Sequence, residues 1–321
     1  MAELIKISQI DEGTRALRWF LRHYPGMAQR DFYKLCRGGQ IRINSSRCSG
    51  DEVLVAGDVI RIPPTLNSFK NVIKKDESGD AFSLADLENL RQCIVHSDED
   101  SVVFNKPAGL AVQGGTGIKK SVDKMTAALF PYAKVALVHR LDKETSGLLV
   151  VAKNQRAAQD LAKQFQDKTA HKEYVALLQG DLHQKRGTID NFMVKGVVYE
   201  NESMIPNDVQ AQRAITDYRV LGTAHGLLSW VLFSPKTGRT HQLRLHSAYS
   251  LGAPIVGDDL YGTTRGKSLG ALASLIKTRN LFLFAWKINF IHPGTHKPLT
   301  LRATVPEFMQ PVLKFLEFKL P

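Results

Sequence analysis

No stretch of this 321-residue chain stays apolar long enough to cross a bilayer: its longest apolar runs, 147–152 and 281–286, fall far short of the roughly 20 residues a spanning helix needs. The first residues, Met1 to Ser8, hold no extended apolar stretch of the kind that directs secretion, so the chain is expected to remain in the cytoplasm. Cysteine is scarce as well. Cys36, Cys48 and Cys93 are odd in number and too far apart for a C-x-x-C metal knuckle or redox pair, which leaves reduced, partly buried thiols. Acidic residues are outnumbered: 31 Asp and Glu face 43 Lys and Arg, for a formal charge of +12. Such a surplus suits a polyanionic partner, nucleic acid or an anionic membrane surface. What is present, 43% hydrophobic and 23% charged residues, is the composition of a globular protein with one large domain and a small one.

The positive surplus is localised. Residues 14–75 carry 12 Lys and Arg against 4 Asp and Glu, so this segment alone supplies +8 of the total. A first helical pattern puts Leu17, Phe20, Leu21 and Tyr24 on one face and Arg15, Arg18 and Arg22 on another. A second repeats the design, with Phe32, Leu35 and Cys36 as its apolar stripe and Arg30, Lys34 and Arg37 on the exposed side. One basic ridge is usually a solvated helix face. Two in one small unit favour an RNA-binding surface. Gly38-Gly39 ends the second helix, and short strands are expected over 41–44 and 59–62. Through RALRWFLRHY, YKLCRGGQIRIN and VLVAGDVIRIPP the segment resembles the small RNA-binding domain shared by ribosomal protein S-four and tyrosyl-tRNA synthetase.

Residues 76–93 read as a linker, and a second domain is expected over 94–321. Within it, Gly114 to Ser121 fits neither G-x-x-x-x-G-K-[ST] nor G-x-G-x-x-G, so it is expected as a flexible loop near the substrate rather than a nucleotide cradle. A helix is predicted over 155–167 and a strand over 171–178, with Tyr174 able to point into a cleft. Residues 181–211, rich in Gly, Asn, Asp and charged groups, are expected to form an exposed excursion. Strands follow over 215–221 and 227–234. They lead to Pro235-Lys-Thr-Gly-Arg-Thr-His-Gln-Leu-Arg-Leu-His246, read as a turn opening a helix capped by Thr240, with Arg244, His241 and Thr240 projecting to one site. His241 and His246 are five apart, roughly 140° around a helix, which spoils a shared metal. Strands near 281–290 and 299–303 and a closing helix complete the pattern. The fold expected is α+β, with a mixed, mostly antiparallel sheet.

The most informative stretch is Val138 to Lys153, VHRLDKETSGLLVVAK. Leu148 to Val151 favour a strand covered on both faces, and Asp142 lies in the segment feeding it, between Arg140 and Lys143. A loop Asp is commonly a turn cap; a carboxylate fixed against a buried strand is also what an active site needs.

Together NKPAGLAVQGG, VHRLDKETSGLLVVAK, HKEYVAL, PKTGRTHQLRLH and GAPIVGDDLYG resemble the RluA family of pseudouridine synthases over nearly the whole chain. The resemblance implies a cofactor-free, metal-free isomerase that detaches uracil from its ribose in RNA, rotates it and reattaches it through carbon five. Its substrate would be large-subunit rRNA, unassembled or partly assembled, and its state a monomer away from any membrane. It assigns Asp142 as nucleophile, Arg244 as the basic residue paired with it, and Tyr174 as the residue that stacks on the base and handles protons. Arg140 would fill the gap left by a flipped-out nucleotide, with His139 and Leu141 shaping the loop. Gln113, Arg239, Thr240, His241 and Leu245 would line the substrate, and the arginine-rich helices would hold RNA. Two other readings use the same features. An idle RNA-binding assembly factor would need only the basic N-terminal unit, against which Asp142, Tyr174 and Arg244 are all present. An N-glycosidase would need a water-activating partner, for which Glu144 is the nearby candidate.

Overall fold

In the computed structural model of the protein, the described residues are 3–7, 13, 15–24, 27, 29–69, 82–115, 117–194, 196–201, 204–206, 209–262 and 280–321. The chain divides into two compact units, one comprising 1–81 with 127–133 and the other 82–126 with 134–321.

The first unit contains β1 (Glu3–Lys6), α1 (Ala16–His23), α2 (Gln29–Arg37), β2 (Arg42–Ile43), β3 (Ser46–Arg47) and β4 (Val59–Ile62). Its antiparallel sheet has the order β1-β4-β2-β3. Trp19, Phe20 and Tyr24 of the α1 segment and Phe32 and Cys36 of α2 pack on Ile41, Ile60 and Ile62. Apolar residues recurring every three or four positions put one face of each helix into this core, leaving Arg15, Arg18, Arg30, Lys34 and Arg37 exposed. Arg22 lies in α1, its side chain outside the described set. The expected start at 14 falls inside the unit, because β1 pairs along the whole length of β4.

The second unit runs α3 (Leu84–Gln92), β5 (Ile94–Ser97), β6 (Ser101–Lys106), α4 (Val122–Leu129, whose residues from 127 on are grouped with the first unit), β7 (Ala136–Leu137), β8 (Ser146–Ala152), α5 (Gln155–Gln166) and β9 (His171–Gln179). It continues with β10 (Arg186–Val194), β11 (Val197–Tyr199), β12 (Gln212–Ala224), β13 (Leu228–Pro235), α6 (Gln242–Leu245), β14 (Leu283–Ile291), β15 (Pro298–Arg302) and α7 (Gln310–Phe315). The sheet order is β11-β10-β12-β13-β9-β14-β8-β6-β5, with β15 on β14 and β7 on β8. This is a mixed, mostly antiparallel sheet with flanking helices, and among the described ladders only β8 with β14 is parallel. No helix among the described residues is long and apolar enough to cross a membrane.

Three expectations are corrected here. The linker of 76–93 holds α3, started by a capping box in which Ser83 and Asp86 satisfy each other's backbone N–H groups. The excursion of 181–211 contains β10 and β11: Ile189, Asn191 and Met193 alternate inward, and β10 pairs with β12 over eight residues. The loop 114–121 is tied down, for Gly114 donates its N–H to Asp123 and Ala111 bridges Ser121.

Every residue of β8 is buried, so its continuous apolar run fits a strand covered on both faces. At the parallel seam Gly147 adopts φ +103°, and a Cβ there would collide with the backbone of Ala285. Asn154 starts α5 by accepting the N–H of Ala157 at 2.8 Å. The seam between β8 and β14 therefore holds the Asp142 loop at one end of a rigid strand.

Candidate active site

Asp142 sits in a turn closed by the N–H of Thr145 on its own carbonyl, at 3.1 Å. The next residue anchors the loop: the carbonyl of Lys143 accepts both the N–H of Gly109 (2.9 Å) and Nζ of Lys106 (3.0 Å). Lys106 is fully buried, and its other two protons go to the carbonyls of Pro107 and Leu110, each at 2.9 Å. Three acceptors match the three donors of an ammonium. Burial pushes its pKa down to about 7, opposed by the charges of Glu144 and Asp142. Among the described residues no donor is hydrogen-bonded to the Asp142 carboxylate, and its nearest basic atom is Nε2 of His241, at 4.0 Å.

Asp142, Tyr174, His241 and Arg244 do converge, since the charge of Asp142 is felt by all three others. Tyr174 projects from β9 and is 7% exposed; burial, then the negative charge of Asp142, raises its pKa and keeps the phenol protonated. Lys172, two residues earlier and therefore on the same face of β9, lies 5.7 Å from the Phe165 ring centroid, its pKa lowered by burial.

Arg244 is not paired with Asp142 as expected. Its Nε and Nη2 donate to the two carboxylate oxygens of Asp258, at 2.8 and 2.7 Å, with both side chains almost completely buried. Burial opposes the guanidinium's charge, but the Asp258 hydrogen bonds outweigh it and leave the pKa raised. Asp258 is fixed in turn by the N–H groups of Leu260 and Tyr261, each at 3.0 Å. Tyr261 lays its ring 5.2 Å from the Arg244 guanidinium and places its hydroxyl 2.9 Å from Nδ1 of His241.

The expected cap at Thr240 is also corrected. His241 precedes α6 in a left-handed conformation, φ +55°, and Thr240 is exposed with no capping bond. The turn is held from inside instead: Oε1 of Gln242 accepts the Arg239 N–H and the Thr237 hydroxyl, while its Nε2 donates to the carbonyl of Ile215 and to Thr216. The Thr216 hydroxyl then donates to Nδ1 of His246, whose Nε2 donates to Asn191. His246 is thereby a neutral structural residue, its pKa lowered to about 4 by burial.

Three expected contact residues lie inward. Leu141 and Leu245 are 6% and 1% exposed and pack largely in the core. His139 accepts the Val150 N–H at 2.9 Å and stacks on Phe165, and burial followed by the charge of Lys172 lowers its pKa to about 3. Gln113, Arg140 and Arg239 are exposed. The composition of the motifs gave no direct sign of Asp258, Tyr261, Lys106 or Lys172; the available signal was that a buried arginine requires a buried carboxylate.

A second polar cluster, His96, Asp98 and His292, has metal-ligand composition. Its hydrogen bonds assign it otherwise. Nδ1 of His292 accepts the N–H groups of Gly294 and Thr295, so its Nε2 carries the proton that it donates to Asp98 at 2.8 Å. Nε2 of His96 meets the same oxygen at 2.5 Å, and the other oxygen accepts N–H groups of Asp100 and Ser101. Burial alone would raise the Asp98 pKa, yet these bonds hold it at about 2. The cluster locks the turn between β5 and β6, beside the end of β8 where Ser101 pairs with Ala152. That is one strand length, about 20 Å, from the end carrying the Asp142 loop.

A family model described as RNA pseudouridylate synthase matches residues 100–249. The chain is 35% identical over 317 residues to ribosomal large subunit pseudouridine synthase C of Vibrio vulnificus, covering 97% of this chain and 96% of the relative. It is 31% identical to the protein of the same name from Escherichia coli K12, over 98% of this chain and 96% of the relative. Among solved structures, human RNA pseudouridylate synthase domain containing 4 superposes with a TM-score of 0.60 at 28% identity, covering 73% of this chain and 97% of the human one.

Proposed function

The chain belongs to the RNA pseudouridylate synthase family, and we propose that it isomerises specific uridines of large-subunit rRNA to pseudouridine, with Asp142 as nucleophile. The observation that carries this reading is a carboxylate fixed by its backbone yet, among the described residues, without a hydrogen bond at its oxygens, within the electrostatic reach of Tyr174, His241 and Arg244.

Breaking the bond between ribose carbon one and uracil nitrogen one leaves electron demand on the sugar and negative charge on the base. Asp142 can meet the first by attack at carbon one, or promote loss of a proton from carbon two on a glycal route. The detached uracil turns so that carbon five faces carbon one. A carbon–carbon bond forms, the hydrogen on carbon five leaves, and nitrogen one regains a proton. Atoms balance with neither redox change nor water consumed.

Tyr174, held protonated, offers a ring to stack on the base and a hydroxyl to donate to it. Arg244, clasped by Asp258, contributes positive charge that does not depend on Asp142 for its own partner. A stacked uridine cannot reach a carboxylate at the end of a strand, so the target nucleotide leaves its stack, and exposed Arg140 fills the vacancy.

The N-terminal unit, with its basic helices and four-stranded antiparallel sheet, is read as an RNA-binding domain of the S-four type, and residues 94–321 as the catalytic domain. Incubating unmodified large-subunit rRNA transcript with the protein is expected to yield mapped pseudouridine and release of hydrogen from uracil carbon five. Free uracil without pseudouridine would replace this reading with a hydrolase.

A further inference from the structure

Beside the candidate active site, and sharing His241 and Tyr261 with it as a wall, the catalytic unit opens a cavity of about 510 Å³. Met193 and Leu245 give it an apolar floor, and Gln210, Gln212, Arg239 and Thr240 its polar rim. The volume is within the range of small-ligand sites. Among the described residues no acidic side chain lines it, which suits an anionic ligand and disfavours a cationic one.

The polar groups divide by task. Gln210 and Gln212 are exposed, and neither side-chain amide is engaged by another described residue, so each offers a donor beside an acceptor, the pattern that matches a base edge. Arg239 spends Nε on the carbonyl of Arg213 at 3.1 Å, and that bond orients a guanidinium whose terminal nitrogens remain for a phosphate. Its backbone N–H is fixed as well, at 3.0 Å from Gln242. Across the shared wall, Nε2 of His241 is 4.0 Å from Asp142, so occupants of the two sites would be separated by little more than one imidazole ring. Neighbouring nucleotides of an unstacked single strand are placed in this way, with bases splayed into separate pockets and read on their edges.

Resting on the synthase reading above, we propose that this cavity seats the base of a nucleotide flanking the target uridine, with Gln210 and Gln212 reading its edge and Arg239 holding its phosphate. The site thus contributes to choosing which uridines are modified, apart from the chemistry at Asp142.

The test uses the full-length protein and unmodified large-subunit rRNA transcripts randomised at the positions on either side of each modified uridine. Wild type is expected to discriminate among bases at one flanking position by about tenfold in kcat/KM, the scale of one good hydrogen-bonded contact. Gln210→Ala and Gln212→Ala are each expected to cut this discrimination to about twofold, with the loss falling on KM. Thr240→Trp, which fills the cavity from its rim, should raise KM about tenfold on every flanking sequence. Variants that keep the wild-type discrimination and KM while unfolding at the wild-type temperature overturn the inference alone. A wild type that makes no pseudouridine in any transcript overturns the synthase reading, and this inference with it.

Discussion

The guanidinium of Arg244 is bound side-on by Asp258, through Nε and Nη2, and not by Asp142, although it lies within the electrostatic field of both carboxylates. The pair is nearly dry, so its charges are balanced against each other inside the protein. Asp258→Asn leaves a buried guanidinium without its counter-charge. It is expected to destabilise the catalytic unit by about 3–5 kcal/mol in denaturant unfolding. In the folded fraction, displacement of Arg244 is expected to lower kcat/KM by on the order of 10²-fold. Wild-type stability in this variant would mean that the ion pair is dispensable to the fold.

Asp142 has the opposite arrangement. Its backbone is anchored, but among the described residues its carboxylate supports no other group through a hydrogen bond. Asp142→Asn is expected to reduce kcat by on the order of 10³-fold or more while RNA affinity stays within about twofold of wild type. Filter binding and release of hydrogen from uracil carbon five check the two halves. Near-wild-type turnover would remove Asp142 from the mechanism.

Two histidines, His246 buried and His139 half-buried, make the fold sensitive to acid. The pKa of His139 is lowered by burial and the charge of Lys172 to about 3, and that of His246 by burial to about 4, from an ordinary 6.5. Between these values the unfolded chain binds protons that the folded chain refuses. Their stabilisation is complete above about pH 6.5 and declines as pH falls toward about 4 and then about 3, by up to about 1.4 kcal/mol per pH unit for each group. Urea unfolding from pH 7.5 to 4.5 is expected to show this slope. His246→Gln, which keeps one donor and one acceptor without titrating, should make it shallower.

The basic helices are open to solvent, with Arg30 89% exposed at its side chain. Replacing Arg18, Arg30, Lys34 and Arg37 together by Gln is expected to weaken RNA binding. It should reduce the slope of log K against log salt by about 3, at roughly 0.7–0.9 per lost phosphate contact. An unchanged slope would assign RNA binding elsewhere.

Much of the fold was legible because strong patterns are local. The apolar run of Leu148 to Val151 favoured a strand buried on both faces, and α5 forms where the helical spacing of Ala158, Leu161, Ala162 and Phe165 put it, although its buried side is Ala157, Leu161 and Gln164 and Ala162 is exposed. β10 was hidden because just three alternate residues carry its burial, Ile189, Asn191 and Met193, and one of them is polar. The α6 turn was misread for another reason: a helical wheel assumes regular backbone, and His241 at φ +55° breaks that assumption. Asp142, Tyr174 and Arg244 were each visible in their motifs. Asp258 was not, since nothing in a linear string says which carboxylate will meet a buried arginine.

Lys106 joins two loops 37 residues apart through one nitrogen, its three protons divided between the carbonyls of 107, 110 and 143. To shift the Asp142 loop would strip a fully buried side chain of a hydrogen-bond acceptor. The Asp142 loop is consequently tied in place at its Lys143 end. On the proposed synthase reading, the motion that brings the reactants together is expected to fall on the nucleic acid, so that a uridine in a weakly stacked or bulged position is modified faster than one inside a stable duplex.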